Sequence, residues 1–339
     1  IKGSQIKNLN NLRSMSKVTK NTGSTARSEY KVINWSDYNQ ALCQRGDLTI
    51  WLEEDQLDKW YYDGRNQQGH PYKYGDNCIS LLLHLKVVFK LPYRQTQGFA
   101  RSVLKLMNLD LQVPSYTQIS RRATDLEVDI KVSKPSEPIH LVMDSTGLKV
   151  YGEGEWKVRK HGVSKRRTWR KLHLSVDETT GMIHAVVLTE NDKDDAAQVE
   201  PALDQVQAEV SKFSGDGAYD KVKVWEELDK RGIEGIIPPR RDAVLWYDEW
   251  GELREHQRNE ILLQIAEYED CEHGRKQWKI DSDYHRRSLS ETAMFRFKTN
   301  FSSELYSRKL QTQQVEAQIK VAALNQMTAI GMPISSRVN

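Results

Sequence analysis

The spacing of apolar residues divides the chain into a helical part and a part that alternates strands with helices. Across residues 34–134 apolar side chains recur every three to four positions, as in residues 74–91, where Ile79, Leu82, Leu83 and Val87 share one face. That period is typical of amphipathic helices. We therefore predict helices at 36–46, with Ser36 as the cap, at 74–91, stopped by Pro92, and at about 96–109.

A further helix start follows in this helical part. Pro114 and Ser115 mark the start, and Ile119 and Ala123 would form the inward side. A helix, a short connection and a capped helix ending in two arginines outline a helix-turn-helix, which reads DNA with its second helix. We predict that residues 34–134 form an all-helical DNA-binding region in which Arg121 and Arg122 contact DNA.

Beyond a linker at 135–138 the period changes to that of strands. Three short apolar or alternating runs bounded by turn residues predict a meander: 139–143, 172–176 and 183–188. The pattern then predicts a helix at about 195–210, a strand at 212–215, a helix at 222–230, a strand at 233–237 and later helices. This order predicts the α/β class, with a mixed sheet flanked by helices.

Composition narrows the class of protein. The 339 residues are 38% hydrophobic and 29% charged, enough to bury a substantial core. No apolar run approaches the roughly 20 residues that span a bilayer, and no export signal is evident, so we predict a cytoplasmic protein without a membrane segment. Cys43, Cys78 and Cys271 lie far apart, which argues against a disulfide framework and against a zinc site of paired cysteines.

The charge of the chain is small in total but unevenly spread. The net charge is +3, yet eight lysines and arginines and no acid lie between residues 157 and 171. Residues 1–33 are polar and basic and are predicted to form a flexible tail. Clustered cations neutralise phosphates. The central cluster supplies further predicted DNA contacts: Lys157, Arg159, Lys160, Lys165, Arg166, Arg167 and Arg170.

Two aspartates stand where an apolar run gives way to small residues. Asp144 follows residues 141–143, and Asp216 follows Phe213-Ser214-Gly215. Cleavage of phosphodiesters with metal ions needs carboxylates that converge at one place, and oxygen ligands suit Mg²⁺ or Mn²⁺. The alternative is that each aspartate only forms a turn. Neither interpretation is decided by these two residues alone.

A third acid belongs to a line of functional side chains. Tyr284, Arg287, Glu291 and Lys298 are separated by three, four and seven positions, which places them on one side of a helix. An exposed helix with an Arg287–Glu291 pair contributing a few tenths of a kcal/mol is the simpler explanation. It does not account for the tyrosine and the lysine that continue the line.

The spacing of this line, Tyr, two residues, Arg, three residues, Glu, six residues, Lys, resembles the signature of bacterial insertion-sequence transposases of the aspartate-aspartate-glutamate (DDE) type. Residues 143–162 and 167–174 are similar to the insertion sequence five group. The similarity extends over about residues 34–333 and therefore covers most of the chain.

The resemblance implies a ribonuclease-H-like catalytic domain at 139–333, with a mostly helical insertion at about 239–283. It implies that Asp144, Asp216 and Glu291 hold Mg²⁺ or Mn²⁺, as two ions, and that Arg287, Lys298 and Tyr284 lie at the DNA. The expected partners are double-stranded DNA and further copies of the chain. The expected function is binding of terminal inverted repeats, DNA cleavage and strand transfer. Two alternatives stay open: a nuclease of the same fold, and a non-catalytic DNA-binding regulator.

Overall fold

The computed structural model describes residues 30–52, 57–64, 71–132, 134–150, 168–268 and 270–337. Most of the predicted tail lies outside these residues. So do six predicted DNA contacts: Lys157, Arg159, Lys160, Lys165, Arg166 and Arg167. Within the described part of the chain, no helix is both long enough and apolar enough to cross a membrane.

The first part of the described chain is mainly helical, as predicted. It begins with a short strand, β1 Tyr30–Val32. The helices that follow are α1 Trp35–Gln44, α2 Leu48–Trp51, α3 Asp76–Val88, α4 Tyr93–Leu106 and α5 Tyr116–Arg122. Ser36 is not the cap of α1, because Asn34 occupies that position. Ser115 does cap α5: its hydroxyl accepts from the Gln118 N–H at 3.3 Å, and the Gln118 side chain accepts from the Ser115 N–H at 2.9 Å.

A six-stranded mixed sheet forms the centre of the second part. Its strands are β2 Ile139–Val150, β3 Trp169–Asp177, β4 Ile183–Glu190, β5 Val210–Ser214, β6 Glu234–Ile236 and the short β7 Glu304–Leu305. The order is β4-β3-β2-β5-β6, and β7 pairs with the far end of β2. β2, β3 and β4 are antiparallel neighbours, whereas β5 lies parallel to β2 and β6 parallel to β5. The predicted mixed sheet is therefore confirmed.

Helices cover both faces of this sheet. They are α6 Val199–Leu203, α7 Val222–Arg231, α8 Gln257–Ala266, α9 Cys271–Asp281, α10 Ser288–Phe301 and α11 Leu310–Ile330. On one face Leu174 belongs to a buried cluster with Leu82 of α3 and Leu324 of α11. On the other face Phe213 packs in a cluster with Trp225 of α7. The N-terminal helices thus share a hydrophobic core with the sheet.

Several predicted boundaries are wrong. The predicted helix at 195–210 is only a 3₁₀ turn, Ala196–Gln198, followed by the short α6. The last residues of the predicted helix join the sheet instead. The Ile139 N–H of β2 donates to the Glu209 carbonyl at 2.8 Å, and β5 begins at Val210. Among the described residues of the insertion, 239–256 contain no helix, and the helical segments are α8 and α9. At the chain's start, β1 pairs with β8, Ser335–Arg337, so residues 30–32 are not part of a tail.

Candidate active site

The register of two parallel strands brings Asp144 and Asp216 to one edge. Val142 of β2 pairs with Ser214, the last residue of β5, and each aspartate follows two positions later. β2 itself continues to Val150, so the prediction that Asp144 closes its strand is wrong. The open space beside Asp144 exists because the neighbouring strand β5 ends there.

The chain turns sharply after Asp216. Its Oδ1 accepts from the Ala218 N–H at 2.8 Å and so caps a 3₁₀ turn, Gly217–Tyr219. A Cβ on Gly215 would lie 2.7 Å from the Tyr219 ring, which explains the glycine at this position. The turn interpretation of Asp216 is therefore structurally correct, and it leaves the second carboxylate oxygen available to a ligand.

Asp144 is mostly withdrawn from solvent and is held from several sides. Oδ1 accepts from the Ser145 N–H at 2.8 Å, and Oδ2 accepts from Arg287 Nη1 at 3.0 Å and from Ser290 Oγ at 3.4 Å. Desolvation raises the pKa of Asp144, and the charge of Asp216 adds to this effect. Because the carboxylates of Asp144 and Asp216 repel one another in a partly buried site, a cation bound between them would be stabilised.

The cation that the chain itself supplies there is Arg287. Its guanidinium donates to Asp144 and, through Nη2, to Glu291 Oε1 at 2.7 Å. Burial by itself lowers the pKa of Arg287, but attraction to Tyr284, Asp144 and Glu291 outweighs burial and raises the pKa overall. Arg287 therefore stays charged and joins two of the three predicted ligands.

The predicted line on one helix is broken at its first turn. Tyr284–Arg287 form a 3₁₀ turn after Asp283, whose φ of 53° is left-handed, and α10 begins at Ser288. Tyr284 packs on α9, with its ring centroid 6.2 Å from that of Trp278. Lys298 continues the line on α10, and its ammonium donates to Thr146 Oγ1 of β2 at 2.6 Å.

The three predicted metal ligands are close but do not surround one point. Among the described residues, no group of three histidine, cysteine or acidic side chains is placed to hold an ion as it stands. Glu291 is joined to Asp144 through the guanidinium of Arg287. The donors are carboxylate oxygens, the ligands that hard divalent cations take. The chemistry of this donor set therefore fits Mg²⁺ or Mn²⁺.

Two further predicted DNA contacts, Arg170 and Arg122, are also bonded within the protein. Arg170 Nε donates to Gln313 at 2.9 Å. Arg122 is paired with Asp76, donates to the Tyr74 carbonyl at 2.7 Å and lies 3.8 Å from the centroid of the Tyr72 ring. Arg121, by contrast, is exposed.

The sequence interpretation missed a group next to the aspartates. Asp195, at the start of the predicted helix at 195–210, accepts from Lys171 Nζ at 3.1 Å, and its Oδ1 lies 3.6 Å from His173 Nδ1. Burial lowers the pKa of His173 to about 4. Burial, with Asp195, Asp144 and Asp216 nearby, also raises the pKa of Tyr219. Ser290, which is fully buried, was missed as well. Its position directly before Glu291 was the signal in the sequence.

Comparisons with known proteins are consistent with this geometry. A protein-family model described as "Transposase DDE domain" matches residues 135–326, and a second model with that description matches residues 43–153. Among solved structures, the chain is similar to a piggyBac transposase synaptic complex with hairpin DNA, at a TM-score of 0.37 and 10% sequence identity. That match covers 88% of this chain and 76% of the other.

Proposed function

The chain belongs to the transposase DDE domain family, and on this premise we propose that it cuts DNA at the ends of a mobile element and joins those ends to target DNA. The observation that carries the proposal is the bridge from Asp144 through Arg287 to Glu291, beside Asp216. We further propose that the element belongs to the insertion sequence five group and that the protein acts on DNA in the bacterial cytoplasm.

The proposed site contains three carboxylates that would bind metal and two basic side chains that would bind DNA. Asp144, Asp216 and Glu291 would hold Mg²⁺ or Mn²⁺, as two ions. When bound, such ions activate the attacking oxygen and stabilise the leaving oxygen of a phosphodiester. Ser290 and the Ser145 N–H orient the Asp144 carboxylate. Arg287 and Lys298 would hold phosphate oxygens, and Arg287 would exchange its carboxylate partners for a phosphate.

The reaction has two displacements at phosphorus. A water oxygen attacks the phosphorus at the element end and loses a proton to solvent, the P–O3′ bond breaks, and the departing 3′ oxygen takes up a proton to become a free hydroxyl. That hydroxyl then loses its proton as its oxygen attacks a target phosphodiester, and the target's own 3′ oxygen leaves and is protonated. Neither step needs a covalent bond to the protein, so no side chain is required as a nucleophile.

The helical region at 34–134 would choose the DNA. We propose that it recognises the terminal inverted repeats, with Arg121 of α5 exposed for contact. The active complex would contain more than one copy of the chain, because two element ends must be handled together.

Incubation with DNA that carries the native element ends tests this function. We expect cleavage with Mg²⁺ and none with a chelator. Joining of pre-cut ends to target DNA separates a transposase from a nuclease that only cuts. Binding without any metal-dependent cleavage would instead identify a regulator.

A further inference from the structure

An exposed apolar patch lies in the insertion between β6 and α8. Val244 and Trp250 are 70% and 83% exposed, and Tyr247 and Leu253 are also exposed. Single exposed apolar residues are ordinary, whereas exposed apolar residues that cluster are typical of interaction surfaces. None of these residues belongs to the site of Asp144 and Asp216.

Three of these residues, Tyr247, Trp250 and Leu253, belong to an ordered hairpin, here named the acidic hairpin and defined as residues 247–253. Tyr247 and Leu253 form an antiparallel bridge. Asp248 holds the turn, since its Oδ1 accepts from the Trp250 N–H at 3.0 Å and from the Glu252 N–H at 2.8 Å. Gly251 supplies the positive φ of 82° that the turn requires.

The base of the acidic hairpin is anchored in the protein. The side chain of buried Asn259 bonds twice to the backbone of Trp246. Its Oδ1 accepts from the Trp246 N–H at 2.9 Å, and its Nδ2 donates to the Trp246 carbonyl at 2.8 Å. The Arg258 guanidinium lies 4.3 Å from the centroid of the Trp246 ring. Trp250 is therefore presented on an ordered turn, which reduces the entropy lost when a partner binds.

The negative charge of the acidic hairpin indicates which class of partner it can bind. It contains Asp248, Glu249 and Glu252 and no lysine or arginine. Three carboxylates beside the aromatic tip repel phosphates, so DNA is disfavoured at this surface. A cationic protein surface with apolar side chains fits it.

The chain has such a surface at the exposed end of α4, here named the α4 end. Arg101 and Lys105 are exposed one helical turn apart, and Leu106, 84% exposed, and Met107 follow. Trp250 and Leu106 are both open to solvent, so the two surfaces do not cover each other within one chain. We propose that the acidic hairpin of one chain docks on the α4 end of a second copy. In a two-fold dimer this contact would occur twice.

Sedimentation equilibrium without DNA or metal tests the interface independently of the proposed catalysis. Trp250→Ala should weaken self-association at least about tenfold, because buried tryptophans dominate interface energies. Glu249→Lys with Glu252→Lys should weaken it, and so should Arg101→Glu with Lys105→Glu. The protein that carries all four reversals should recover affinity to within about threefold of wild type.

Glu200→Lys, an exposed reversal far from the hairpin in sequence, is the matched control and should change nothing. Circular dichroism should show unchanged melting for every variant, since all the altered side chains are exposed. A wild-type protein that stays monomeric, or reversals that fail to restore one another, would overturn the proposal. Loss of DNA affinity in Trp250→Ala with unchanged self-association would also overturn it and assign the tip to DNA.

Discussion

Arg287 donates a hydrogen bond to Asp144 at 3.0 Å, although the two residues lie 143 positions apart in the chain. The same guanidinium reaches Glu291, so two of the three carboxylates that would bind metal are paired with a side chain of the protein itself. A divalent cation and Arg287 would therefore compete for these oxygens.

Removing that competitor should separate metal binding from catalysis. In Arg287→Gln we expect Mn²⁺ to bind the DNA-free protein about five- to tenfold more tightly, because a positive charge leaves the site. Cleavage should nevertheless fall at least about a hundredfold, since a phosphate contact is lost. Calorimetric titration measures the first effect. Arg286→Gln is the control, because Arg286 pairs with Glu178 and not with Asp144. Weaker Mn²⁺ binding in Arg287→Gln would contradict the competition.

His173 should make the stability of the protein depend on pH. Its pKa is lowered from 6.5 to about 4 by burial, so the unfolded chain takes up a proton that the folded chain does not. Its contribution is fully present above about pH 6.5 and is lost as pH falls toward 4, on the order of 3 kcal/mol in all. The free energy of unfolding of His173→Gln should change less over this interval. Equal pH dependence in both proteins would refute this assignment.

The buried pair of Asp220 and Arg258 should be costly to break. Asp220 accepts from Arg258 Nε at 2.7 Å, from Trp225 Nε1 at 3.0 Å and from the Arg240 N–H at 3.0 Å. Asp220→Ala leaves a buried guanidinium without its carboxylate, so we expect a loss of about 3–5 kcal/mol in denaturant unfolding. Exposed Asp242→Ala should cost less than about 0.5 kcal/mol. Similar losses in the two variants would show that the pair is unimportant.

Two adjacent arginines should behave differently in DNA binding. Arg121→Ala should weaken binding to element ends and lower the salt dependence by about one ion, as expected for a phosphate contact. Arg122→Ala should mainly reduce stability, by about 1–3 kcal/mol, because Asp76 and the Tyr74 carbonyl lose their donor. Binding titrations at several salt concentrations, with melting curves, distinguish the two. Equal effects on binding would contradict the assignment.

The parts of the fold that local periodicity defines could be predicted from the sequence. Apolar spacing placed α3, and alternation placed β3 and β4, because one buried face determines each pattern. The strand β1 was missed because its pairing partner, β8, lies about 300 positions away in sequence. The helix predicted at 195–210 is longer than α6 for a related reason. Hydrogen bonds to β2 at its end outweigh the local helix preference of these residues.

The sequence proposes the residues of the candidate site but not their arrangement. Asp144, Asp216 and Glu291 are proposed from the ends of apolar runs and from the spacing of the line with Arg287, and their catalytic role stays a prediction. The break at Tyr284 and the bridge from Arg287 to Asp144 depend on tertiary contacts that periodicity does not encode. The pairing of Asp195 with Lys171 and His173 depends on such contacts as well.

The most direct test of the account is the replacement of each carboxylate separately by alanine. Cleavage of DNA with native element ends, in Mg²⁺, should disappear in Asp144→Ala, Asp216→Ala and Glu291→Ala. Binding to the same DNA should stay within about threefold of wild type, because the helical region is unchanged. Full cleavage by Asp144→Ala would contradict the assignment of these carboxylates as the catalytic centre.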